Sequence, residues 1–437
     1  MQSESAPSIW NSTDTPALLC DAAGRPLDST TLELTEFPLG PGEVELLRTA
    51  ARRSGRVLER EHLALLGLGT AARLILPFGT RTAHAAATAA ALLSTLGGAG
   101  RAYALTALPF DPEAAGTLVI PEVLAIVEDD AATALVATAA GHAHERLDTA
   151  LLEGSVAEPD ADLPDRFALA SAKSHAEFRA LVADAVAAVT DGELDKVVLA
   201  REVTVTANRP FQQADLIARL RALHPSCLAF ALDGFLGASP ELLCRRTGGH
   251  VFSEPLAGTV ARSGDPEADR QRADALFSSP KERREHGLVV EAITAELARH
   301  DFDVSVPEVP ELLELRNVAH LATPITGSTS SASPPSALEL ACALHPTPAV
   351  GGSPKARALE YLAKHEGLER QRYAGPVGYL QSNGDGEFWI GIRSAEIDGN
   401  RARLMAGVGI VAGSDPLAEL AETQLKLQAL LAVAVRP

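Results

Sequence analysis

Beyond residue 170 the apolar positions of this chain follow two clear periods. Phe178, Leu181, Val182, Ala185, Val186 and Val189 recur at the spacing of one helix face, and Ser174 with Glu177 forms a capping box ahead of them. Asp191-Gly192 ends that helix. The next segment, KVVLAREVTV (196–205), alternates as a strand does. Val197, Leu199, Val203 and Val205 take one face, and Lys196, Val198, Ala200 and Glu202 the other. Within 227–246, Asp233-Gly234 separates two apolar runs, which predicts a two-residue hairpin turn. Strand patterns also fall at 250–253, 376–381, 387–393 and 402–411, and helix patterns at 268–277, 280–300, 356–364 and 416–434.

The first 165 residues are Ala- and Leu-rich, with strand-like pieces at 73–76 and 117–120 and a helical stretch at 83–96 between them. No chemistry there rises above core and surface. The acidic, Pro-containing segment 156–167 predicts a linker or surface crossing, and 328–338 a polar loop or helix entry. Strands and helices are plentiful but do not alternate regularly, and no fixed-period repeat is present. The expected class is α+β, antiparallel sheets with outer helices.

Size and charge narrow the picture. With 437 residues, 46% of them hydrophobic, the chain exceeds a single core of roughly 250–300 residues. Two lobes or one large multi-layer domain follow. The net charge of −19, from 57 acidic and 38 basic residues, argues against a nucleic-acid or anionic-membrane binder. An anionic substrate would need a cation or a local Arg/Lys cluster to overcome that field. Cys20, Cys227, Cys244 and Cys342 are scattered, with no Cys-x-x-Cys spacing, so a disulfide framework or zinc knuckle is not expected and a reducing compartment is. The N-terminus has neither a basic region nor an apolar stretch of the export type, and no apolar run reaches about 20 residues. A cytoplasmic protein is the expectation.

Candidate chemistry begins with two Glu-x-x-Glu pairs, Glu282/Glu285 and Glu419/Glu422, each on one face of a predicted helix. Two such faces turned together make an all-oxygen cage suited to Mg²⁺. Alone, each pair is ordinarily a solvated helix face. Ser279, Pro280 and Glu282 mark one helix start, and the second, near 414–416, turns Leu417, Leu420 and Leu425 inward. Lys196 opens a strand, where lysines usually snorkel; small and apolar neighbours on its face favour burial and a base. Glu241, in GASPELL, is a turn carboxylate or a proton donor held in an apolar bend. Gly258, Gly407 and Gly409 allow close backbone approach to an anion, without the context of a nucleotide loop. Arg393, read as mid-strand in WIGIRSAEI, suits carboxylate binding or a structural ion pair equally well.

Ten blocks occur in order: DKVVLARE, GASPELL, PLAGT, SSPKERREHGLVVEAI, VAHLATPI, ALHPTPAVGG, RYAGPVGYL, WIGIRSAEI, AGVGIVAGSDP and ETQLKL. Together they resemble the chorismate-utilising enzymes, which include isochorismate, salicylate, anthranilate and aminodeoxychorismate synthases. The resemblance covers about 170–432 strongly and divides the chain into an N-terminal part, 1–165, and a chorismate-binding catalytic region, 166–437. It implies one large α+β domain of two packed antiparallel sheets flanked by helices, acting on chorismate as a monomer. It implies that Lys196 is the general base, Glu241 the general acid, and that Glu285 and Glu422 hold Mg²⁺ with Glu282 and Glu419 close by. Gly258, Thr259, His320, Tyr373, Arg393, Gly407, Gly409 and Lys426 match positions lining the substrate pocket.

The implied reaction adds water at C2 as the C4 hydroxyl leaves, which requires the lysine pKa moved down and the glutamate pKa moved up. Ammonia-using members lack the lysine, so Lys196 favours water. Ala349, in HPTPA, stands where lyase members tend to carry threonine, which favours an isochorismate synthase that stops after isomerisation. Salicylate synthase, an amine-transferring relative and a non-enzymatic chorismate binder are the alternatives, the last opposed by the complete residue set.

Overall fold

The computed structural model describes residues 17–28, 32–77, 83–97, 101–129, 131–138, 141–156, 163–315 and 318–435. The acidic segment expected as a linker lies largely outside them. Two antiparallel sheets, of ten and twelve strands among the described residues, form the body of a single α+β domain, with a three-stranded sheet beside them. The sheets face each other across a dry layer. Leu58, Leu65, Leu124 and Phe230 of the larger sheet meet Leu105, Val377 and Trp389 of the smaller. Helices cover the outer faces. On the larger sheet Pro41–Ser54 and Gln213–Leu223 bury Leu47, Leu216 and Ile217 against Val57 and Leu66.

Burial on both faces explains why the N-terminal part resists reading by period. The strand Leu63–Leu68 is buried at every position, so its sequence is a continuous apolar run rather than an alternation. Strands from both halves of the chain interleave. Arg56–Arg60 lies beside Leu228–Leu232 in the larger sheet, and Tyr103–Ala107 beside Pro376–Gln381 in the smaller. Among the described residues no helix is long and apolar enough to cross a membrane, and no disulfide joins the cysteines.

Local signals materialise closely. Helix His175–Thr190 starts at Ser174, whose hydroxyl accepts from Glu177 N at 3.2 Å while Glu177 Oε2 accepts from Ser174 N at 2.7 Å. Its buried face is Phe178, Leu181, Val182, Ala185, Ala188 and Val189, with Val186 only half buried. The hairpin turn at Asp233-Gly234 has φ of 49° and 83°, the left-handed pair of a type I′ turn, between Leu232 and its partner Phe235.

Three expectations need correction. Helix Pro416–Ala434 is capped by Asp415, and Leu417 is 61% exposed on its first turn instead of facing inward. In helix Pro280–Arg299, Ser279 Oγ accepts from Glu282 N at 3.3 Å, but the Glu282 carboxylate does not return the bond and turns to the pocket. Arg393 is not mid-strand. The strand Gly386–Ile390 ends in the smaller sheet, the chain bends with Arg393 at φ 48°, and Ser394–Asp398 continues in the larger.

A second corner lies against that one. The strand Phe235–Ser239 belongs to the larger sheet and Leu242–Thr247 to the smaller, with Pro240 and Glu241 at the crossing. Ser239 Oγ donates to Ile390 O at 2.6 Å, Ile390 N to Glu241 O at 3.0 Å, and Ala238 N to Arg393 O at 3.1 Å. These bonds bring Glu241 and Arg393 to one place. Phe178→Ala, which empties a fully buried site under the strand Lys196–Ala207, is expected to cost about 3–5 kcal/mol while leaving the fold intact. Urea unfolding followed by far-UV circular dichroism measures it, and a loss under about 1 kcal/mol would contradict this packing.

Candidate active site

The strand Lys196–Ala207 pairs antiparallel with Arg401–Ile410, placing Val198 opposite Gly409 and Ala200 opposite Gly407. Both glycines therefore lie on the face that carries Lys196. A β-carbon at Gly409 would sit 2.2 Å from Glu285 Oε1 and 2.9 Å from Lys196 Cε, so only glycine lets the lysine and glutamate pass over this strand. Lys196 is fully buried, and its Nζ lies 2.9 Å from Glu285 Oε1. The contact is an ion pair without the alignment of a hydrogen bond.

Glu241 is 4% exposed at its corner. Burial pushes its carboxyl up to about 7, although Leu256 N–H, Lys196, Lys426 and Arg393 all pull the other way. Arg393 Nη2 lies 3.1 Å from His320 Nε2, and His320 Nδ1 is 3.2 Å from both Gly258 O and Thr259 Oγ1. A guanidinium only donates, so Nε2 accepts and the ring proton is on Nδ1, bonded to Gly258 O. His320 is thus neutral, as burial first and Arg393 and Lys426 next dictate by lowering its pKa far below the ordinary value. Gly258 itself has φ 71°, and its bulge against Val318–Ala322 directs that carbonyl. Lys426 donates to Gly407 O at 3.1 Å and pairs with Glu422 at 2.7 Å.

One pocket gathers these groups. Its walls include Gly258, Thr259, His320, Ala349, Tyr373, Arg393, Gly407, Gly409 and Lys426, every position expected to line a substrate site. Glu241, Glu282, Glu285 and Glu422 line it too, whereas Lys196 and Glu419 stand behind the wall. Sequence reading missed the apolar side, Leu256, Val350, Ile392, Met405 and Leu430, which carries no signal beyond ordinary core hydrophobicity. It also missed Lys281, whose signal was its place directly before Glu282.

The four glutamates converge only loosely. Among the described residues no three acidic, His or Cys side chains already surround a common point. Instead each has a lysine: Glu285 has Lys196, Glu422 has Lys426, and Lys281 lies 2.9 Å from Glu419 and 3.6 Å from Glu282. Burial raises the Glu282 carboxyl, and the neighbouring Glu285 adds to it. Burial also raises Glu419, with Glu422 adding and Lys281 opposing. Crowded carboxylates that repel one another, all offering oxygen, fit a hard divalent cation.

This α+β sandwich gathers two cationic side chains, a neutral histidine and paired carboxylates around one cavity, a site fitted to a small anionic molecule. The chain belongs to the chorismate binding enzyme family, whose sequence profile matches residues 59–435. Over 268 residues it is 42% identical to the salicylate biosynthesis isochorismate synthase of Pseudomonas aeruginosa, covering 60% of this chain and 55% of that protein. It is 40% identical over 261 residues to the isochorismate synthase EntC of Escherichia coli, covering 59% and 66%. The matched segment thus spans between about half and two thirds of these relatives. The structure of MenF, the menaquinone-specific isochorismate synthase from Escherichia coli, superimposes with a TM-score of 0.78 at 28% identity, covering 97% of each chain.

A glutamate with its pKa raised in the folded state binds its proton more tightly there than in the unfolded chain. Its contribution to folding stability is therefore fully present below the ordinary carboxyl value, is lost as pH rises through about 7, and changes no further above that. Glu241→Gln should stabilise the protein at pH 8, by up to about 3 kcal/mol, and do little at pH 4. Chemical denaturation at both pH values tests this, and equal effects at the two would refute the raised pKa.

Proposed function

We propose that this chain is a Mg²⁺-dependent isochorismate synthase, converting chorismate to isochorismate. The observation carrying the proposal is one pocket bordered by a buried lysine system and by Glu241, a carboxyl whose pKa burial pushes up to about 7. The 40–42% identity to relatives named as isochorismate synthases supports it.

In this reading the oxygen of water bonds to C2, the ring double bond shifts, and the C4–oxygen bond breaks. Lys196 would act in its neutral form, its ammonium proton given up before the step, and take a proton from the attacking water. Glu241 gives one to the departing oxygen, which leaves as water. Arg393, oriented by the neutral His320, holds a carboxylate of the substrate, and Lys426 adds positive charge to the same wall. Glu285 and Glu422, with Glu282 and Glu419 beside them, would hold Mg²⁺. The metal would neutralise the ring carboxylate and stabilise charge building toward C1. Ala349 in the wall leaves that position without a hydroxyl, which supports a reaction that ends at isochorismate. The product would feed 2,3-dihydroxybenzoate or salicylate siderophores, or menaquinone.

Purified protein with chorismate and Mg²⁺ should yield a product of unchanged mass, resolved by chromatography. Pyruvate with salicylate would indicate a lyase, an ammonia-dependent product an amine-transferring relative, and no turnover a binder. Lys196→Ala should abolish turnover with the fold intact by circular dichroism, and near-normal activity would remove Lys196 as base.

Glu285→Gln and Glu422→Gln each replace a charged oxygen with an amide. Each should weaken Mg²⁺ binding by on the order of 10–100-fold, read by calorimetric metal titration. Unchanged titrations in both variants would refute the cage.

A further inference from the structure

One edge of the strand that carries Lys196 is interrupted. Gly352 and Ser353 pair with Val197 and Lys196, and Phe167–Ser171 pairs only from Val203 onward. Between them, among the described residues, no strand lies beside residues 198–202 on that edge, although pairing with Arg401–Ile410 on the other edge is continuous. Val198 N still donates to Gly351 O at 3.0 Å and Glu202 O accepts from Ala172 N at 3.1 Å, so Val198 O and Ala200 N are the groups that face the gap between them.

A buried ion pair occupies it. Glu366 Oε1 accepts from Ala200 N at 2.8 Å, and Arg370 Nη2 donates to Val198 O at 2.5 Å. The two side chains grip each other, with Arg370 Nε 2.8 Å from Glu366 Oε2 and Nη2 2.6 Å from Oε1. Arg370 Nη1 then donates to Val350 O at 2.8 Å, the residue after Ala349. Phe110, from the N-terminal half, covers the guanidinium with its ring centroid at 4.3 Å. Its carbonyl lies 2.8 Å from His345 Nε2, at the start of the HPTPA turn. Neither Glu366 nor Arg370 lines the pocket, and both are almost wholly buried.

We propose that Glu366 and Arg370 are positioning residues that stand in for a missing strand and lock Lys196 in register with the Ala349–Val350 wall. A guanidinium is required because its planar fork reaches two carbonyls and a carboxylate at once, which an ammonium on a flexible stem does not. Burying an ion pair under the site serves this geometry, because a bare backbone edge in the core would leave Val198 O and Ala200 N unsatisfied. The proposal rests on Lys196 being the base, and its test separates the two.

The test uses the full chain with Arg370→Lys and Glu366→Gln. Amide hydrogen exchange should quicken by about ten-fold or more in peptides covering 196–202 and 347–352, with peptides at 228–239 and 376–381 unchanged. Turnover of chorismate should fall in kcat by about 10–100-fold in Arg370→Lys while KM stays within about three-fold. Unchanged local exchange, exchange raised uniformly across the chain, or a KM that rises in place of the fall in kcat would each overturn the proposal. If Arg370→Lys does not fold, Phe110→Leu removes only the ring over the guanidinium, and the same local quickening is expected of it. If the parent protein does not turn over chorismate, the functional reading fails, and the exchange pattern still decides whether the pair holds the strand.

Discussion

The site depends on two chain crossings tied to each other. Phe235–Ser239 and Gly386–Ile390 leave their sheets at the same level, and a corner of that kind exposes backbone groups that neither sheet can pair. Ser239 Oγ satisfies Ile390 O, and Ile390 N satisfies Glu241 O. Once these bonds form, Glu241 and Arg393 face one cavity from opposite crossings, with no freedom to be elsewhere. The left-handed backbone of Arg393 is part of that solution, because a residue turning from one sheet to another must leave the β region. Side chains on rigid corners of this kind lose little further entropy on binding a ligand.

Around the corners, electrostatics decides what the cavity accepts. The chain carries a net charge of −19, and five glutamates border or back the pocket. Lys196, Lys281 and Lys426 each meet one of them, so the local charge is far closer to balance than the global value suggests. Isolated buried charges of either sign would be costly, and the pairing keeps them in the fold. The balance is also poised. On the proposed reading, a cation that engaged the carboxylates would release lysine charge toward the cavity, where an anion would balance it. Glu241 differs from the paired glutamates: burial pushes its pKa up to about 7 against the pull of the Leu256 N–H, Lys196, Lys426 and Arg393.

What the sequence made legible follows the range of the forces involved. The capping box at Ser174 and Glu177, the Asp233-Gly234 turn and the alternation of 196–205 are local, and each formed as its pattern predicts. The identity of the pocket-lining residues came from ten ordered blocks, because no local rule says that Gly258 and Gly409, distant in sequence, border one cavity. Arg393 was misplaced for a physical reason. WIGIRSAEI is apolar enough to read as one strand, and the bend that splits it is imposed by bonds to Gly391 and Ser394 from within a corner. Leu417 was misassigned because helix period alone cannot fix rotation on the first turn, where capping by Asp415 sets the phase.

The N-terminal part illustrates the other limit. Strands such as Leu63–Leu68 are buried on both faces, so their periodicity is erased, and no candidate for chemistry stands out. Yet Phe110 reaches across to shield Arg370, and its carbonyl anchors His345 beside the HPTPA turn. A residue of this kind is invisible to motif reading because it supplies only a ring face and a backbone oxygen. The ring covers the guanidinium that bonds both Val198 O and Val350 O, two adjoining points of the pocket wall. The half of the chain without recognisable chemistry thus reaches the layer directly behind the recognisable site.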